Sequence, residues 1–517
     1  MSSWLKSAIF YEIYPQSFQD TNGDGIGDIP GITRRLPDIR HLGANALWIN
    51  PCFDSPFKDA GYDVRDYKKV APRYGTNDDL KALFVAAHEA GMHVILDLVP
   101  GHTSEEHPWF LASCQPDKNE FSERYIWSDT WLGNMEGRPF IAGEAPRFGM
   151  YMLNFFKCQP ALNYGFAHTT HAWQHAADSP EALATRAAME DVCRFWLEAG
   201  CDGFRVDMAA SLVKDDDDEK SYTCALWRDL LGRLRKDFPE AVFVSEWSDP
   251  ERALASAGFD ADFYLDHVGN GYNYLVRDGE RGEKDLSYFR KDGGGLQPFL
   301  TDYLPKLTAT QGKGYISFIS GNHDTPRLAR CLDPAEQALA MAFLLLMPGV
   351  PFIYYGDEIG MRYIENMPTK EGGYTRTGTR TPMQWDRGTN LGFSDAPADR
   401  LYLPVDPSPD APVLSEQRGD ADSLYETLRR VTAFRNANPE LQADGTLSVA
   451  EMAADGRAVL LRRGHFVIAV NPDAGKALLA APDGLAPLQP AFAIGEASLS
   501  GGFLQLGPQS LSLWEIA

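Results

Sequence analysis

Three short strings carry most of the chemistry this sequence can do: Gly203-Phe-Arg-Val-Asp207, Val244-Ser-Glu-Trp247 and Gly321-Asn-His-Asp324. Each brings a carboxylate to the end of an apolar run, and two of them set an arginine or a histidine close to it. Acids so placed can divide the two tasks of glycosidic bond cleavage. One carboxylate attacks the anomeric carbon, while a carboxylic acid protonates the leaving oxygen and then takes a proton from water. The two acids need unlike surroundings, because one must keep its proton at neutral pH while the other is ionised. Asp97 and His102, in the string Asp97-Leu-Val-Pro-Gly-His102, extend the pattern. A lone acid at the end of an apolar run is usually a paired structural charge. Several acids gathered with Arg205, His102 and His323 make a site.

These residues lie far apart in the chain, so a fold must bring the ends of their runs together. Short apolar runs alternate with helix-period segments, the pattern of βα units around a parallel sheet. Eight runs read as strands: Ile9–Pro15, Ala46–Pro51, His93–Val99, Gly203–Asp207, Val242–Trp247, Phe259–Asp266, Tyr315–Ser320 and Pro351–Tyr355. Between them, Asp78–Ala90 sets Leu80, Leu83, Phe84 and Ala87 on one helical face, and Gly91 supplies the stop. Ala188, Val192, Phe195, Trp196 and Ala199 repeat that spacing before Gly200. Eight such units predict an α/β fold, a (β/α)8 TIM barrel, in which functional side chains gather at the C-terminal ends of the strands.

The barrel is expected to occupy residues 1–102 and 172–438. Residues 103–171 are rich in proline, glycine and aromatics and are too long for an ordinary βα loop. They predict a small inserted domain after strand 3. A second long loop, Gly360–Ser423, should overhang the same face. After the helical segment Leu424–Asn438, residues 439–517 alternate apolar and polar positions, as in Ala458–Leu461 and Phe466–Val470. That predicts a C-terminal antiparallel β domain.

In order and spacing, the three strings resemble signature segments of the α-amylase superfamily of glycoside hydrolases, and the resemblance runs from Ile9 to the C-terminal domain. It implies a retaining α-glycosidase with Asp207 as nucleophile and Glu246 as acid/base. Asp324 would bind sugar hydroxyls and stabilise the oxocarbenium-like transition state. Arg205 would keep Asp207 ionised, and His102 and His323 would donate hydrogen bonds to the glucosyl unit. The chain is most similar in its motifs to the oligo-1,6-glucosidase and α-glucosidase branch. By that resemblance Asp59-Ala-Gly-Tyr62-Asp63 offers Tyr62 as a stacking platform and Asp59 as a grip on two hydroxyls. Arg380, in Arg380-Thr-Pro-Met-Gln-Trp385, would pair with Asp59 and close the pocket beyond the terminal sugar, with Arg376 as its competitor.

A closed pocket implies exo-cleavage of short α-glucosides. The residue after the nucleophile, which accompanies linkage preference in this branch, is Met208 and matches neither the α-1,6 nor the α-1,4 pattern. A transglucosylase or isomerase of the trehalose synthase or sucrose isomerase kind would use the same covalent intermediate with a sugar as acceptor. A non-catalytic, transporter-associated relative would need a membrane anchor and usually lacks the acids present here.

Two departures from the family pattern stand out. The asparagine that normally precedes His102 is Gly101, which speaks against a calcium between barrel and inserted domain. In Gln159-Pro-Ala-Leu-Asn163, Ala161 replaces the usual aspartate. A different loop, Asp20-Thr-Asn22-Gly-Asp24-Gly-Ile26-Gly-Asp28, offers oxygen ligands at alternate positions, as Ca²⁺ prefers. It is no EF-hand, since Gly31 stands where the bidentate glutamate belongs. It resembles the branch's first-loop calcium site, with Ile26 acting through its carbonyl, and implies a structural Ca²⁺ as the cofactor, with a metal-free Asx-rich turn as the alternative.

The formal net charge of −24 argues against nucleic acid or an anionic membrane surface as partner, and favours a neutral small molecule. No apolar run approaches the ~20 residues that span a bilayer, and the first residues lack a signal-peptide pattern. Seven scattered cysteines without a C-x-x-C pair read as reduced, buried thiols, and a cytoplasmic location is expected. Trp109, Trp127, Trp131 and Trp173 read as core of the inserted domain, Asp215–Asp218 as a solvated acidic loop, and His41 and His88 as ordinary helix residues.

Overall fold

The computed structural model describes residues 2–131, 135, 137–277, 287–485 and 489–516. Eight parallel strands form its centre: Phe10–Ile13 (β1), Ala46–Ile49 (β2), His93–Leu98 (β3), Gly203–Val206 (β4), Val242–Ser245 (β5), Ala261–Phe263 (β6), Tyr315–Ser317 (β7) and Phe352–Tyr354 (β8). They pair in sequence order from β1 to β7, and β8 lies beside β1. A parallel bridge between Ile319, just past β7, and Phe352 joins the remaining edges, so the sheet closes into a (β/α)8 barrel. β1, β2, β4 and β5 are buried along their whole length, because side chains fill the inside and helices cover the outside.

The longer helices are Ile29–Leu42 (α1), Asn77–Glu89 (α2), Pro180–Glu198 (α3), Ser221–Asp237 (α4), Gln297–Thr310 (α5), Pro334–Leu346 (α6) and Leu424–Ala437 (α7). Local chemistry sets their ends. Asp28 caps α1 by accepting from Gly31 N, and Gly43 ends it in the left-handed region at φ 102. Thr76 and Asp79 cap α2 reciprocally, as Asp333 and Glu336 cap α6. The fifth unit departs from the expected rhythm, with a π-type turn, Glu251–Ala257, between β5 and β6. The run Phe259–Asp266 yields only the three-residue β6. Asp260 turns its carboxylate back to Phe243 N and Arg235, and Asp266 turns to Asn273 and Arg277.

Within the insertion, Trp127–Ser128, Phe140–Ala142 and Met150–Met152 form a small antiparallel sheet, with the last in the middle. Leu162 N donates to Gly101 O at 3.1 Å, which ties the segment to the barrel mouth. Trp127 is buried there, whereas Trp131 is exposed. The loop over 360–423 forms short 3-10 turns and one four-residue α turn.

Toward the C-terminus a five-stranded antiparallel sheet packs against a three-stranded one. Alternation along its central strands fills both faces. Leu460, Val467, Ala469 and Trp514 meet Leu479, Leu504 and Leu506 of the smaller sheet, whereas Leu461, Ile468, Val470, Leu511 and Leu513 join the barrel's core.

Two buried arginines lie at this junction. Arg435 of α7 donates to the carbonyls of Leu345 (2.7 Å), Met347 (3.1 Å), Gly349 (2.7 Å) and Leu441 (2.6 Å). Arg463 donates to those of Leu346, Leu441 (2.9 Å) and Gln442 (2.7 Å). Leu345 and Leu346 end α6, so their carbonyls have no partner within the helix. Among the described residues no helix is long and apolar enough to cross a membrane.

Candidate active site

At the barrel mouth the ladder continues for one more residue on two strands. Asp207 N donates to Leu98 O at 2.8 Å, and Glu246 N donates to Val206 O at 3.0 Å. Both backbones are therefore fixed where their side chains clear the strand ends. Below them lies Arg205, 1% exposed, with three carboxylates around it. Its Nη1 reaches Asp97 Oδ1 at 2.9 Å and Asp207 Oδ1 at 3.0 Å, and its Nη2 reaches Glu246 Oε2 at 2.9 Å. Burial, and then the negative charge of Glu246, push the Asp207 carboxyl well above the usual carboxylate range, with Arg205 opposing. One guanidinium cannot neutralise three carboxylates, so the group readily holds a proton. Burial likewise raises Asp97 to about 6 against the pull of Arg205.

Met208 follows Asp207 in the left-handed region, at φ 44, uncommon for a side chain of its size. This turn aims its N–H at Glu246 Oε2, 2.9 Å away. The residue that left the linkage open is thus also a backbone donor to Glu246.

Asp324 marks the other side. Burial alone would raise its carboxyl, but the charges of Arg380 and Arg376 outweigh that and hold it below the usual range. Here the expected pairing of Arg380 with Asp59 is corrected. Arg380 is buried, its Nε donates to His323 O at 2.8 Å, and this anchor directs its Nη2 to Asp324 Oδ1 at 2.9 Å. Arg376, one turn earlier and more exposed, bridges instead. It reaches Asp324 Oδ1 at 2.9 Å and stands 3.6 Å from Asp59 Oδ1. Asp59 also accepts from Gln159 Nε2 at 2.7 Å, and burial raises it to about 6 against Arg376.

Both histidines are buried and engaged by the protein. Burial pushes each imidazole down to about 3, so each is neutral at neutral pH. His323 Nδ1 lies 2.9 Å from Glu12 Oε1, and its Nε2 lies 2.7 Å from Tyr62 Oη, which in turn donates to Asp97 at 3.1 Å. His102 Nε2 donates to Tyr62 O at 3.1 Å, and its Nδ1 accepts from Asn154 Nδ2 at 2.9 Å. These two rings hold Tyr62 in place.

Two members of this network escaped sequence reasoning. Glu12 is an acid inside an otherwise apolar strand, a signal that a buried partner awaits it. Asn154 comes from the insertion and has no motif of its own. It lies against Gly101, where a Cβ would stand 3.3 Å from Asn154 Nδ2.

The acids open into a cavity of about 1310 Å³. Asp59, Tyr62, Arg376, Phe155, Phe156 and Tyr374 are among the residues that line it. The volume exceeds the range of about 300–1,000 Å³ usual for small-ligand pockets.

The Asp20–Asp28 loop lies apart from these residues. Asp20 accepts from Asn22 N, Gly23 N, Gly25 N and Ser394 Oγ. Asn22 and Asp24 each accept from the amide two residues on. A Cβ on Gly25 would meet Arg400 O at 2.3 Å, so only glycine fits that turn. Burial and then, after its hydrogen bonds, the charge of Asp20 bear on Asp28, whose carboxyl is raised. The all-oxygen donor set and this crowding of like charge fit a hard cation. The carboxylates of Asp20, Asp24 and Asp28 do not, however, converge within 4.8 Å of one another.

The model of the alpha amylase catalytic domain matches residues 12–249 and 288–444. The chain belongs to the α-amylase family. As a member of that family it is 32% identical over 507 residues to a "probable alpha-glucosidase" of Rhizobium meliloti, covering 87% of this chain and 85% of that one. An oligo-1,6-glucosidase of Bacillus sp. strain F5 is 31% identical, over 85% of this chain and 94% of its own. A trehalose synthase/amylase of Mycolicibacterium smegmatis is 30% identical, over 92% and 79%. Among solved structures, the trehalulose synthase of Pseudomonas mesoacidophila MX-45 superposes with a TM-score of 0.81 across 100% of both chains at 24% identity, a likeness of fold. Family and relatives together support a glycoside hydrolase acting on a small-molecule sugar.

Proposed function

We propose that this chain is a retaining, exo-acting α-glucosidase of short α-glucosides. The observation that carries the reading is Arg205 held among Asp97, Asp207 and Glu246, beneath the cavity that Asp207, Glu246 and Asp324 line. Asp207 attacks the anomeric carbon, and the bond from that carbon to the leaving oxygen breaks as Glu246 delivers its proton. Water then attacks the glucosyl–Asp207 ester, Glu246 takes a proton from it, and the α-anomer leaves. Asp324, kept ionised by Arg376 and Arg380, grips sugar hydroxyls and faces the positive charge that develops on the ring. Tyr62 supports the terminal glucose, and Arg376 with Asp59 limits the space beyond it.

Sugar transfer is the second reading. The similarity to a trehalose synthase/amylase and a cavity wide enough for an acceptor beside the glucosyl unit favour it. The buried thiols of Cys52, Cys114, Cys158, Cys193, Cys201 and Cys224 support a reducing, cytoplasmic compartment. Incubation with maltose, isomaltose, sucrose and trehalose, followed by chromatography and NMR, tests both readings. Glucose released first as the α-anomer is expected. Early β-glucose overturns retention, and a rearranged disaccharide as main product moves the assignment to transfer.

A further inference from the structure

At the opposite end of the barrel three side chains converge that neither catalysis nor the loop around Asp24 uses. His88 lies in the last turn of α2, His93 opens β3, and Asp202 directly precedes β4. His88 Nε2 is 2.8 Å from Asp202 Oδ2, and His93 Nδ1 is 3.0 Å from Asp202 Oδ1. Among the described residues this is the one group of three histidine, cysteine or acid side chains whose ligand atoms all lie within 4.8 Å of one another.

We propose that His88, His93 and Asp202 form a site for a divalent transition metal of the zinc class at the base of the barrel. Two imidazoles and a carboxylate are the borderline donor set that Zn²⁺ takes. With bonds near 2.0 Å, tetrahedral donors stand about 3.3 Å apart, close to the imidazole–carboxylate separations of 2.8 and 3.0 Å and inside the 4.8 Å that bounds all three ligand atoms. Little rearrangement is needed. Asp202 is held by Val94 N, which donates to its Oδ2 at 2.7 Å, and by its own N–H, which donates to Val94 O at 2.8 Å. His93 is held by Trp4, whose ring stacks on it at 4.1 Å and 13°. Only His88, 43% exposed and on the surface of α2, has to turn. The ring nitrogens now facing Asp202 would present lone pairs to the ion, their protons moving to the other ring nitrogen or to water. Solvent on the His88 side leaves room for a water as fourth ligand. Such an ion would tie the end of α2 to the starts of β3 and β4, far from the catalytic acids.

Titration of the whole protein with Zn²⁺ alone, followed by calorimetry and by Tm, tests this. Saturation at one ion per chain is expected, with a rise in Tm and unchanged glycosidase activity. His88→Ala, on an exposed helix face, should keep the fold and weaken the affinity by about tenfold or more. Asp24→Ala should leave zinc binding as it is. Because Trp4 stacks on a ligand, Cu²⁺ should quench part of the emission, and Trp4→Phe should lose that decrement. Zinc bound as tightly by His88→Ala as by the wild type, or binding that never saturates at one ion, would overturn the proposal.

Discussion

Arg205 and the pair Arg435–Arg463 are all buried guanidinium groups, yet their surroundings are opposite. Arg205 sits among three carboxylates, more negative charge than it can offset. Arg435 and Arg463 meet backbone carbonyls, several of them at the C-terminal end of α6, where the helix dipole is negative. Neutral dipoles cannot trade protons, so the junction with the C-terminal sheets is electrostatically inert. The acid surplus around Arg205 leaves a proton that can move between neighbours. One arrangement suits chemistry and the other suits cohesion.

The largest effect should come from disturbing the surplus. Asp207→Asn and Glu246→Gln are each expected to lower kcat by at least about 10³-fold while Tm stays near that of the wild type. Turnover within tenfold of wild type in either would dissolve the contrast.

Next in size are the arginines around Asp324. Arg376→Ala and Asp59→Ala should each reduce kcat/KM on short α-glucosides by about 10²-fold, since both help close the end of the pocket. Arg380→Ala should act through Asp324 and fall in kcat as well. Asp59 is raised to about 6, so it is protonated below that pH and its attraction to Arg376 fades. An acid limb in kcat/KM near pH 6 follows, and it should be shallower in Asp59→Asn. Release of interior fragments from long maltodextrins by the wild type would refute the closed end.

The junction should respond in stability instead. Arg435→Met or Arg463→Met strands several buried carbonyls and should cost about 3 kcal/mol, read as a drop in Tm. The folded fraction should keep kcat within about twofold. A catalytic defect without loss of stability would break the comparison from the other side.

The smallest expected effect sharpens it. If the Asp20–Asp28 loop binds Ca²⁺, calcium at a hundred times its Kd adds about 2.7 kcal/mol to the wild type and leaves kcat unchanged. Asp24→Ala should lose that gain. An equal Tm with and without calcium in the wild type would leave the loop a plain Asx turn.

Much of this was legible beforehand, and the reasons differ by element. Barrel strands announced themselves as apolar runs because both faces are buried, and α2 did so through the spacing of Leu80, Leu83 and Phe84. Asp207 and Glu246 were legible as candidates because each directly follows a strand, whereas Asp324 lies seven residues beyond β7 and was legible only through its motif. Arg376 and Arg380 were not separable, since both lie in a loop whose path depends on tertiary anchors such as Arg380 Nε on His323 O. Glu12, Asn154 and the cluster around His88 depend on meetings between segments far apart in sequence, which no local pattern encodes. β6 was overread for a related reason: Asp260 and Asp266 take side-chain partners that end the ladder.

The contact between Asn154 and Gly101 has a consequence for how this family can vary. Gly101→Asn alone drives a new side chain toward Asn154, with its Cβ 3.3 Å from the amide nitrogen. Asn154→Gly alone deprives His102 Nδ1 of its donor. Made together, the two exchanges would hand the donor back to the barrel and relieve the crowding. Each single exchange is therefore expected to lower kcat/KM and the double exchange to recover part of the loss, which a double-mutant cycle on the two positions would read.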